Sequence, residues 1–488
     1  MPRRHIRVTG APEAPLRAAL TALRTELGVP GSFPPEALAE AGRTAKAPVL
    51  PPHDATDIPF LTIDPPASTD LDQAMHLSRR GAGTGGGYRV RYAIADVAAF
   101  VVPSGALDQE AHRRVTTLYF PDLRIPLHPE SLSEGAASLL PGQDRPAVLW
   151  TIDLDPDGRT LAVDVRRALV RSRAKFDYAA VQRRIDEKTA EEPLALLKEV
   201  GEARERLEVE RGGISLHVPE QEIVERDHTY ELAYRAPRPA DGWNAQISLL
   251  TGMAAADLML SAGTGILRTL PAAPDGAVGR LRRTAQALRI DWPHHVSYAS
   301  LVRSLDPHRP HHAAFLQECT TLLRGAGYTV FRDGALPAIT THSAVAAPYA
   351  HCTAPLRRLV DRYTAEICLA VAAGQPVPDW VLAALDALPA RMTEGSRRAG
   401  TVERACVDLV EAALLKDQVG EVFDGWVVDV EERRPAVGVV QLESPAVIGR
   451  IENPDGDRLP LGERLRVRLT RASWQAGPGA ANVCFAPA

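Results

Sequence analysis

Three aspartates in one short segment are the residues of this chain best placed to do chemistry. Asp64 follows an apolar run, 58–63, that predicts a buried strand, and the Pro65-Pro66 turn cannot continue a sheet. Asp70 and Asp72 then stand two residues apart, so in an extended backbone they project to the same side. The spacing predicts a loop that brings three carboxylates together.

Carboxylates this close repel one another, and they stay ionised together only when a cation lies among them. Hard oxygen ligands in a loop suit magnesium, or manganese in its place, rather than zinc. An Asp-rich turn that caps a strand is the alternative that these residues alone leave open. The segment taken by itself is therefore compatible with a metal site or with a plain turn.

Chain length and net charge limit the number of domains and the kind of binding surface to expect. A chain of 488 residues is long enough for about three domains with ample core. Its formal net charge of -5 argues against a protein coated in basic surface. Nucleic-acid binding would therefore need a local basic channel.

Cysteine usage and hydropathy indicate a protein of a reducing compartment that does not span a membrane. The cysteines are odd in number, scattered and without C-x-x-C spacing, which favours neither a disulfide framework nor a zinc module. No apolar stretch follows the basic N-terminus, and nowhere do eighteen uncharged apolar residues run together. We expect a cytoplasmic protein with no signal peptide and no membrane span.

The N-terminal residues, 1–50, predict a small helical module. Leucines at helical spacing over 13–28 end at Gly28, and a second short helix is expected over 35–41. The pair is compatible with a helix-turn-helix or with an arm that docks on the main domain. Residues 44–57, rich in proline, are typical of a linker.

Residues 51–419 predict an α+β domain with strands first and helices after them. A strand over 88–100 follows a glycine-rich turn at 81–87, and a hairpin is expected over 147–153 and 161–169. Periodicity predicts helices over 177–211, 243–304 and 380–420.

Residues 420–488 change pattern abruptly. Five short strands in about 70 residues have the number and size expected of a small OB-type β-barrel, a fold that often binds single-stranded nucleic acid. The predicted strands are 422–430, 436–442, 446–451, 465–469 and 481–485.

The aspartate segment TIDPPASTDLDQAM, residues 62–75, resembles the catalytic signature of the ribonuclease II / ribonuclease R family, which carries the RNB domain. Further segments resemble blocks of that family in the same order, at 92–148, 171–182, 211–223 and 349–363. The resemblance implies a catalytic core of mixed sheet with surrounding helices, a small helical N-terminal module and a C-terminal OB-type barrel. Only about 57 residues precede the core, which suits a shorter bacterial branch without paired cold-shock barrels.

The activity implied by this resemblance is 3′ to 5′ exoribonucleolytic hydrolysis. The family degrades single-stranded RNA to nucleoside 5′-monophosphates and depends on magnesium. The partner expected for this chain is therefore single-stranded RNA, and nothing in the sequence calls for an obligate protein partner.

The resemblance also implies roles for the acidic residues. Asp64, Asp70 and Asp72 match three of the four metal-site aspartates, and Asp70 and Asp72 are expected to be catalytic. The fourth aspartate is Gln73 here, whose amide oxygen can offer a metal one neutral ligand.

Basic and aromatic residues complete the implied site. Arg357 matches the arginine that holds the scissile phosphate, with Arg358 beside it. Tyr119 matches the aromatic that packs on the 3′-terminal base, and Tyr178 matches a second tyrosine that contacts RNA.

Departures from the family pattern sustain a rival hypothesis. Besides Gln73, Ser248 and Leu249 stand where a glutamate pair is usual. These changes are what a catalytically weak or inactive RNA-binding member would show, whereas the retained, like-charged Asp70 and Asp72 favour an enzyme. A magnesium-dependent DNase that uses the same carboxylates is a more remote hypothesis. An oligonucleotide with deoxyribose in place of ribose would test it.

Overall fold

The computed structural model describes residues 14–81, 86–216, 218, 220–226, 229–235, 237–274, 276–307, 309–323, 325–431, 433–442, 444–473 and 483–488. The helices are α1 (Ala14–Glu26), α2 (Pro35–Lys46), α3 (Ala106–Arg114), α4 (Tyr178–Asp186), α5 (Glu192–Glu210), α6 (Pro239–Ala262), α7 (Ala277–Ala287), α8 (Tyr298–Ser304), α9 (Pro310–Cys319), α10 (Leu359–Ala372), α11 (Asp379–Leu385) and α12 (Leu388–Leu415). The strands are β1 (Phe60–Ile63), β2 (Gln73–Arg79), β3 (Tyr88–Ala95), β4 (Leu118–Tyr119), β5 (Arg124–Ile125), β6 (Asp144–Leu154), β7 (Thr160–Phe176), β8 (Glu220–Arg226), β9 (Thr229–Arg235), β10 (Gly265–Thr269), β11 (Gly327–Phe331), β12 (Thr341–His342), β13 (Ala347–Pro348), β14 (Val422–Glu431), β15 (Arg434–Leu442), β16 (Ile448–Glu452), β17 (Arg464–Ala472) and β18 (Val483–Pro487).

The first strands form a closed barrel in the order β1-β2-β3-β6-β7. Neighbouring strands are antiparallel except where β7 returns parallel to β1 and closes the barrel. Alternate residues of β3 belong to different cores, with Val90, Tyr92 and Ile94 in one cluster and Ala93 in another. The predicted sheet is mixed in strand direction, as expected, and the structure shows that it closes on itself.

Helix α6 is the long apolar helix beside this barrel. It packs against α5 and α10 and buries Trp243, Ile247 and Leu250 in the main core. A Cβ at Gly252 would lie 2.2 Å from the Tyr349 ring, so only glycine lets the segment before α10 pack this closely. By length and composition alone α6 also qualifies as a membrane-crossing helix, although half of its most apolar window is buried inside the protein.

The helical range predicted over 243–304 is interrupted after Ala262, and helical structure resumes in α7 and α8. Gly263 adopts a left-handed conformation with φ 71° and ends α6, and β10 then pairs with β11 some sixty residues further along the chain. The strand expected over 88–100 likewise ends at Ala95, where a short 3₁₀ turn begins. Both differences arise from pairing and packing with distant segments, which local periodicity does not report.

The N-terminal helices dock on the rest of the chain. Leu16, Leu20 and Leu23 of α1 share a core cluster with residues of β4 and α12, and Arg24 pairs with Asp122 at 2.7 Å. Helix α2 packs against α3. This arrangement favours the docking arm over a separate helix-turn-helix. Residue 13, with which the first predicted helix begins, lies outside the described residues.

The C-terminal strands form a second closed barrel in the order β14-β15-β16-β18-β17. Its one parallel pair is β16 with β18. The predicted OB-type barrel is confirmed, and the strand predicted from residue 481 is seen from Val483 onward, since 481 and 482 lie outside the described residues. A core of valine, leucine and isoleucine side chains fills the barrel, together with Phe485.

Candidate active site

The loop between β1 and β2 carries the three aspartates, and bonds to the end of β7 fix its entry. The Asp64 N–H donates to the Phe176 carbonyl oxygen at 3.0 Å. Lys175 Nζ donates to the carbonyl oxygens of Pro66 and Ser68 at 2.7 and 2.6 Å. The loop is therefore held by the strand that closes the barrel, and Lys175, which sequence reasoning missed, places a positive charge beside Asp64.

Asp72 is the most deeply placed of the three, with 5% of its surface exposed. Its carboxylate accepts the Leu356 N–H at 2.8 Å and Arg357 Nε at 3.2 Å. Burial raises the pKa of Asp72 to about 7, although the charge of Arg357 and the bond from Leu356 act in the opposite direction. Two residues nearly 300 positions apart in sequence thus form one ion pair, in which the carboxylate is buried and the guanidinium is partly exposed.

Asp70 is paired with an arginine that sequence reasoning did not single out. Arg124 Nη1 donates to Asp70 Oδ1 at 2.6 Å, and Arg124 Nη2 donates to Glu134 at 2.8 Å. Arg124 belongs to the LYFPDLRIP segment that contributes to the family resemblance, so its place in that segment was the available signal.

Asp64 completes the acidic group. Burial raises its pKa to about 7, with the charge of Arg357 opposing this shift and that of Asp70 adding to it. The charge of Asp70 raises the pKa of Asp72 as well. The three carboxylates are therefore near enough to influence one another.

The carboxylates do not converge on one point, which differs from the expectation of a ready-made ligand cluster. Across the described ranges, no three His, Cys, Asp or Glu side chains are arranged to hold a metal. The physical reason is that buried carboxylates need a counter-charge, and Asp70 and Asp72 have turned onto Arg124 and Arg357 to obtain it.

The chemistry of this donor set nevertheless suits a divalent cation. All the candidate ligands are hard carboxylate oxygens, the type that magnesium and manganese prefer. The pKa values of about 7 for Asp64 and Asp72 arise first from burial, and the charge of Arg357 offsets only part of this effect. A cation that displaced an arginine from one carboxylate would bring both values down.

The loop 353–358 supplies Arg357, and a fully buried aspartate shapes it. Asp361, with 0% of its surface exposed, accepts the Ala354 N–H at 2.6 Å and two nitrogens of Arg358 at 2.8 and 2.9 Å. Thr116 Oγ1 donates to the Arg357 carbonyl oxygen at 2.8 Å. The structure therefore directs Arg358 onto Asp361, whereas Arg357 lies at the acidic group.

Gln73 uses both ends of its amide inside the protein. Its Nε2 donates to the Thr353 carbonyl oxygen at 2.6 Å, and its Oε1 accepts the Tyr92 hydroxyl at 2.6 Å. Tyr92 is fully buried in the barrel. The first residue of β2 is therefore bound to the loop that carries Arg357.

The two predicted RNA-contacting tyrosines interact with different members of the candidate site. Tyr178 begins α4, and its hydroxyl accepts Asn244 Nδ2 at 3.2 Å. Burial and then the negative charge of Asp64 raise the pKa of Tyr178 above its usual range. Tyr119 interacts electrostatically with Arg357. Both rings are partly exposed and therefore accessible to a ligand.

A basic region occupies the other end of the β2–β3 hairpin. A cavity of about 380 Å³ is lined there by Ser78, Arg79, Arg80, Gly81, Arg89 and Arg91. The register pairs Gln73 with Ile94 at one end and Arg79 with Tyr88 at the other, which separates the ends by roughly 20 Å at 3.3 Å per residue. This cavity is remote from the aspartates and forms no part of the candidate site.

Comparison with known proteins agrees with this architecture. The family model of the RNB domain matches residues 53–373, and that of the RNase II-type exonuclease C-terminal S1 domain matches residues 421–480. Ribonuclease R of Escherichia coli is 29% identical over 404 residues, covering 77% of this chain and 48% of that protein. The chain thus spans about half the length of this curated relative.

Solved structures show the same fold. The apo form of Mycoplasma genitalium RNase R superposes with a TM-score of 0.82 at 19% identity, covering 97% of this chain and 78% of that one. Yeast Ssd1, described as a pseudonuclease, gives a TM-score of 0.65 at 14% identity, covering 91% of this chain and 54% of that one.

Proposed function

Because this chain belongs to the RNB family, we propose that it is a hydrolytic 3′ to 5′ exoribonuclease that degrades single-stranded RNA to nucleoside 5′-monophosphates. The observation that carries the proposal is the ion pair of the buried Asp72 with the partly exposed Arg357, which lies beside Asp64 and Asp70. It puts a cation that can bind phosphate next to a group of carboxyls, two of which have raised pKa values. Phosphodiester hydrolysis needs both kinds of group.

Asp64, Asp70 and Asp72 are the proposed ligands of Mg²⁺, or of Mn²⁺ in its place. A bound divalent cation supplies a water made nucleophilic and charge stabilisation for the leaving oxygen. Bonds from Lys175 hold the loop between β1 and β2, and Asp72 at its end is buried away from bulk water. The amide oxygen of Gln73 accepts a hydrogen bond from Tyr92, so metal ligation through its second lone pair stays a prediction.

Arg357 is the proposed phosphate-binding residue. Its Nε donates to Asp72, which orients the guanidinium, and about 35% of the side chain is exposed. The terminal nitrogens then offer a planar fork to phosphate oxygens. Arg358, which we expected beside the substrate, is proposed to act there through the loop that its pairing with Asp361 shapes.

Tyr119 and Tyr178 are the proposed RNA-contacting aromatics. Stacking on a base gives affinity without sequence preference, about 1–3 kcal/mol per base, which suits an enzyme that removes any nucleotide. Their places near Arg357 and near Asp64 support a path for the RNA 3′ end between the two rings.

The proposed setting is the cytoplasm, with single-stranded RNA as the partner. Support comes from the five cysteines, all within the described ranges, which form no disulfide with one another, four of them being buried.

The test of the proposal is a 5′-labelled single-stranded RNA incubated with the purified protein and Mg²⁺. We expect a ladder that shortens from the 3′ end, lost on chelation and in Asp72→Asn. That variant keeps the size of the side chain but removes the charge that pairs with Arg357. Full-length RNA after long incubation with the unmodified protein would contradict the proposal.

A catalytically weak or inactive RNA-binding protein is the second candidate. It is favoured by Gln73, Ser248 and Leu249, which replace acidic residues of the family pattern, and by a fold shared with a described pseudonuclease. Its signature would be RNA binding that persists in a chelator, together with no shortening of the RNA in Mg²⁺.

A further inference from the structure

We propose that Gln73 and Ser248 are positioning residues, which hold the 353–358 loop through Thr353 and thereby set the place of Arg357. The inference rests on the proposed function, because Arg357 matters as the residue that binds the phosphate. It gives two of the three departures from the family pattern one shared role. Both side chains contact the same residue, one at its backbone and one at its hydroxyl.

The orientation of the Gln73 amide follows from its partners. The Thr353 carbonyl oxygen can only accept a hydrogen bond, so the amide nitrogen must be the atom that faces it at 2.6 Å. The amide oxygen then faces the Tyr92 hydroxyl, which donates to it at 2.6 Å. Since Tyr92 is fully buried in the barrel, Gln73 links the loop to a rigid point.

Ser248 approaches Thr353 from the other side. It lies on α6, and its hydroxyl is 2.8 Å from Thr353 Oγ1. Thr353 has only 3% of its surface exposed, so little water is present to replace a lost partner. Thr353 is thus held between the catalytic barrel and the long core helix.

Acidic residues would not make these contacts. A carboxylate at position 73 has no donor, so its oxygen and the Thr353 carbonyl oxygen would repel each other. A glutamate at 248 would be longer than serine and would add a negative charge to a region where the pKa of Asp64 and Asp72 is already raised. The amide of Gln73 and the small hydroxyl of Ser248 are therefore both suited to holding Thr353.

The consequence reaches Arg357 through a loop that is held along its length. Gln73 binds Thr353 at the start of the loop, while its chain neighbour Asp72 binds Leu356 and Arg357 near the end. Asp72, just before β2, and Gln73, the first residue of β2, therefore hold both parts of the loop. Loss of the bond from Gln73 to Thr353 would therefore let the loop shift and would weaken the bonds of Asp72 to Leu356 and Arg357.

The test compares Gln73→Glu, which replaces the donor by an acceptor of nearly the same shape, with the unmodified protein. The first readout is amide hydrogen exchange of the loop, with amides of β14 and β15 as internal reference. The second is affinity for single-stranded RNA in excess chelator, where hydrolysis cannot occur. We expect exchange of the Ala354 and Leu356 amides to rise roughly tenfold, and RNA affinity to fall by roughly the same factor.

Two further variants separate positioning from an effect of charge or of folding. Gln286→Glu adds the same charge at an exposed position of α7 and should change neither readout. Ser248→Ala and Thr353→Val each remove one of the two hydroxyls that form the bond. Because either change alone breaks that bond, the double variant should change loop exchange and RNA affinity no more than the single variant with the larger effect. A general loss of stability would instead raise exchange in β14 and β15 too.

The outcomes are distinct. If Gln73→Glu tightens Mg²⁺ binding and leaves loop exchange and RNA affinity unchanged, Gln73 is a ligand and the positioning role is overturned. Unchanged exchange at Ala354 and Leu356 without tighter Mg²⁺ binding also overturns it. If the unmodified protein fails to shorten RNA, the proposed function fails, but hydrogen exchange still decides the role of Gln73.

Discussion

The two ends of the β2–β3 hairpin both pair an arginine with an aspartate, yet the pKa of the aspartate shifts in opposite directions. At the active-site end, Arg357 contacts Asp72, whose pKa is raised to about 7 because burial outweighs the pairing. At the far end, Arg89 donates two hydrogen bonds to Asp153, and these bonds lower the pKa of that carboxyl. Burial outweighs the single bond from Arg357 at Asp72, whereas the two bonds from Arg89 outweigh burial at Asp153.

This difference shows how one barrel serves two purposes. At the far end, the charges of Arg89 and Asp153 balance each other, because the bonds from Arg89 stabilise the Asp153 carboxylate. At the active-site end, burial instead disfavours the charged forms of Asp64 and Asp72, a cost that a bound cation would offset. Each prediction below sets a variant at the buried site against one at the exposed end.

The largest effect is expected on the free energy of unfolding, when Asp361, which binds the 353–358 loop, is removed. Asp361→Ala should lower the free energy of unfolding by about 3–5 kcal/mol, because it leaves the buried Arg358 charge without its partner. Glu199→Ala, which breaks the exposed pair with Arg79, should change it by less than about 0.5 kcal/mol. Urea denaturation measures both, and equal losses would show that burial does not distinguish the two pairs.

Arg357→Ala is expected to give the next largest effect, on activity. It should reduce the rate of RNA shortening about 10²- to 10³-fold, the usual effect of removing one preorganised donor to a developing charge. Arg89→Ala, at the far end of the same hairpin, serves as the matched control and should stay within about twofold. Initial rates on 5′-labelled RNA measure the contrast. Similar losses in both variants would mean that the arginines share a general role in RNA binding.

The pH dependence of stability should have opposite signs at the two ends. Asp64 and Asp72 have folded-state pKa values of about 7 against an ordinary value of 3.8, so the folded protein binds more protons than the unfolded chain over that interval. In the metal-free protein their contribution to stability is therefore lost as pH rises from about 4 to 7. Asp153 has a lowered pKa, and its contribution is lost as pH falls below its ordinary value.

Thermal unfolding of single variants separates the two contributions. Asp72→Asn should flatten the decline in Tm between about pH 4 and pH 7, whereas Asp153→Asn should flatten the decline below about pH 4. Profiles of both variants that run parallel to that of the unmodified protein would mean that neither carboxyl titrates as the structure implies.

Much of the fold and part of the site follow from local patterns. The aspartate spacing, the hairpins and the five C-terminal strands are short-range signals, and the RNB resemblance gave Arg357 and the tyrosines their expected places. Pairing at long range was not predictable in this way. Arg124 meets Asp70 across 54 residues, Gln73 meets Thr353 across 280, and β10 was assigned to a helix because its partner strand is distant in sequence.

The same limit explains why the expected metal cluster differs from the observed acidic group. Spacing shows that three carboxylates share a loop, but it does not show which arginines the folded chain brings to them. Nor does spacing reveal that Arg358 turns onto Asp361. Burial and counter-charge are properties of the tertiary structure.

The most direct test of the central claim is calorimetric titration of the metal-free protein with Mg²⁺ at pH 7 in buffers of different ionisation enthalpy. The account predicts saturable binding accompanied by proton release, because carboxyls with pKa near 7 must lose their protons to become ligands. Asp64→Asn and Asp72→Asn should each weaken the binding and reduce the proton release. Equal binding by the unmodified protein and both variants, or no binding at all, would contradict the claim that this acidic group exists to hold a divalent cation.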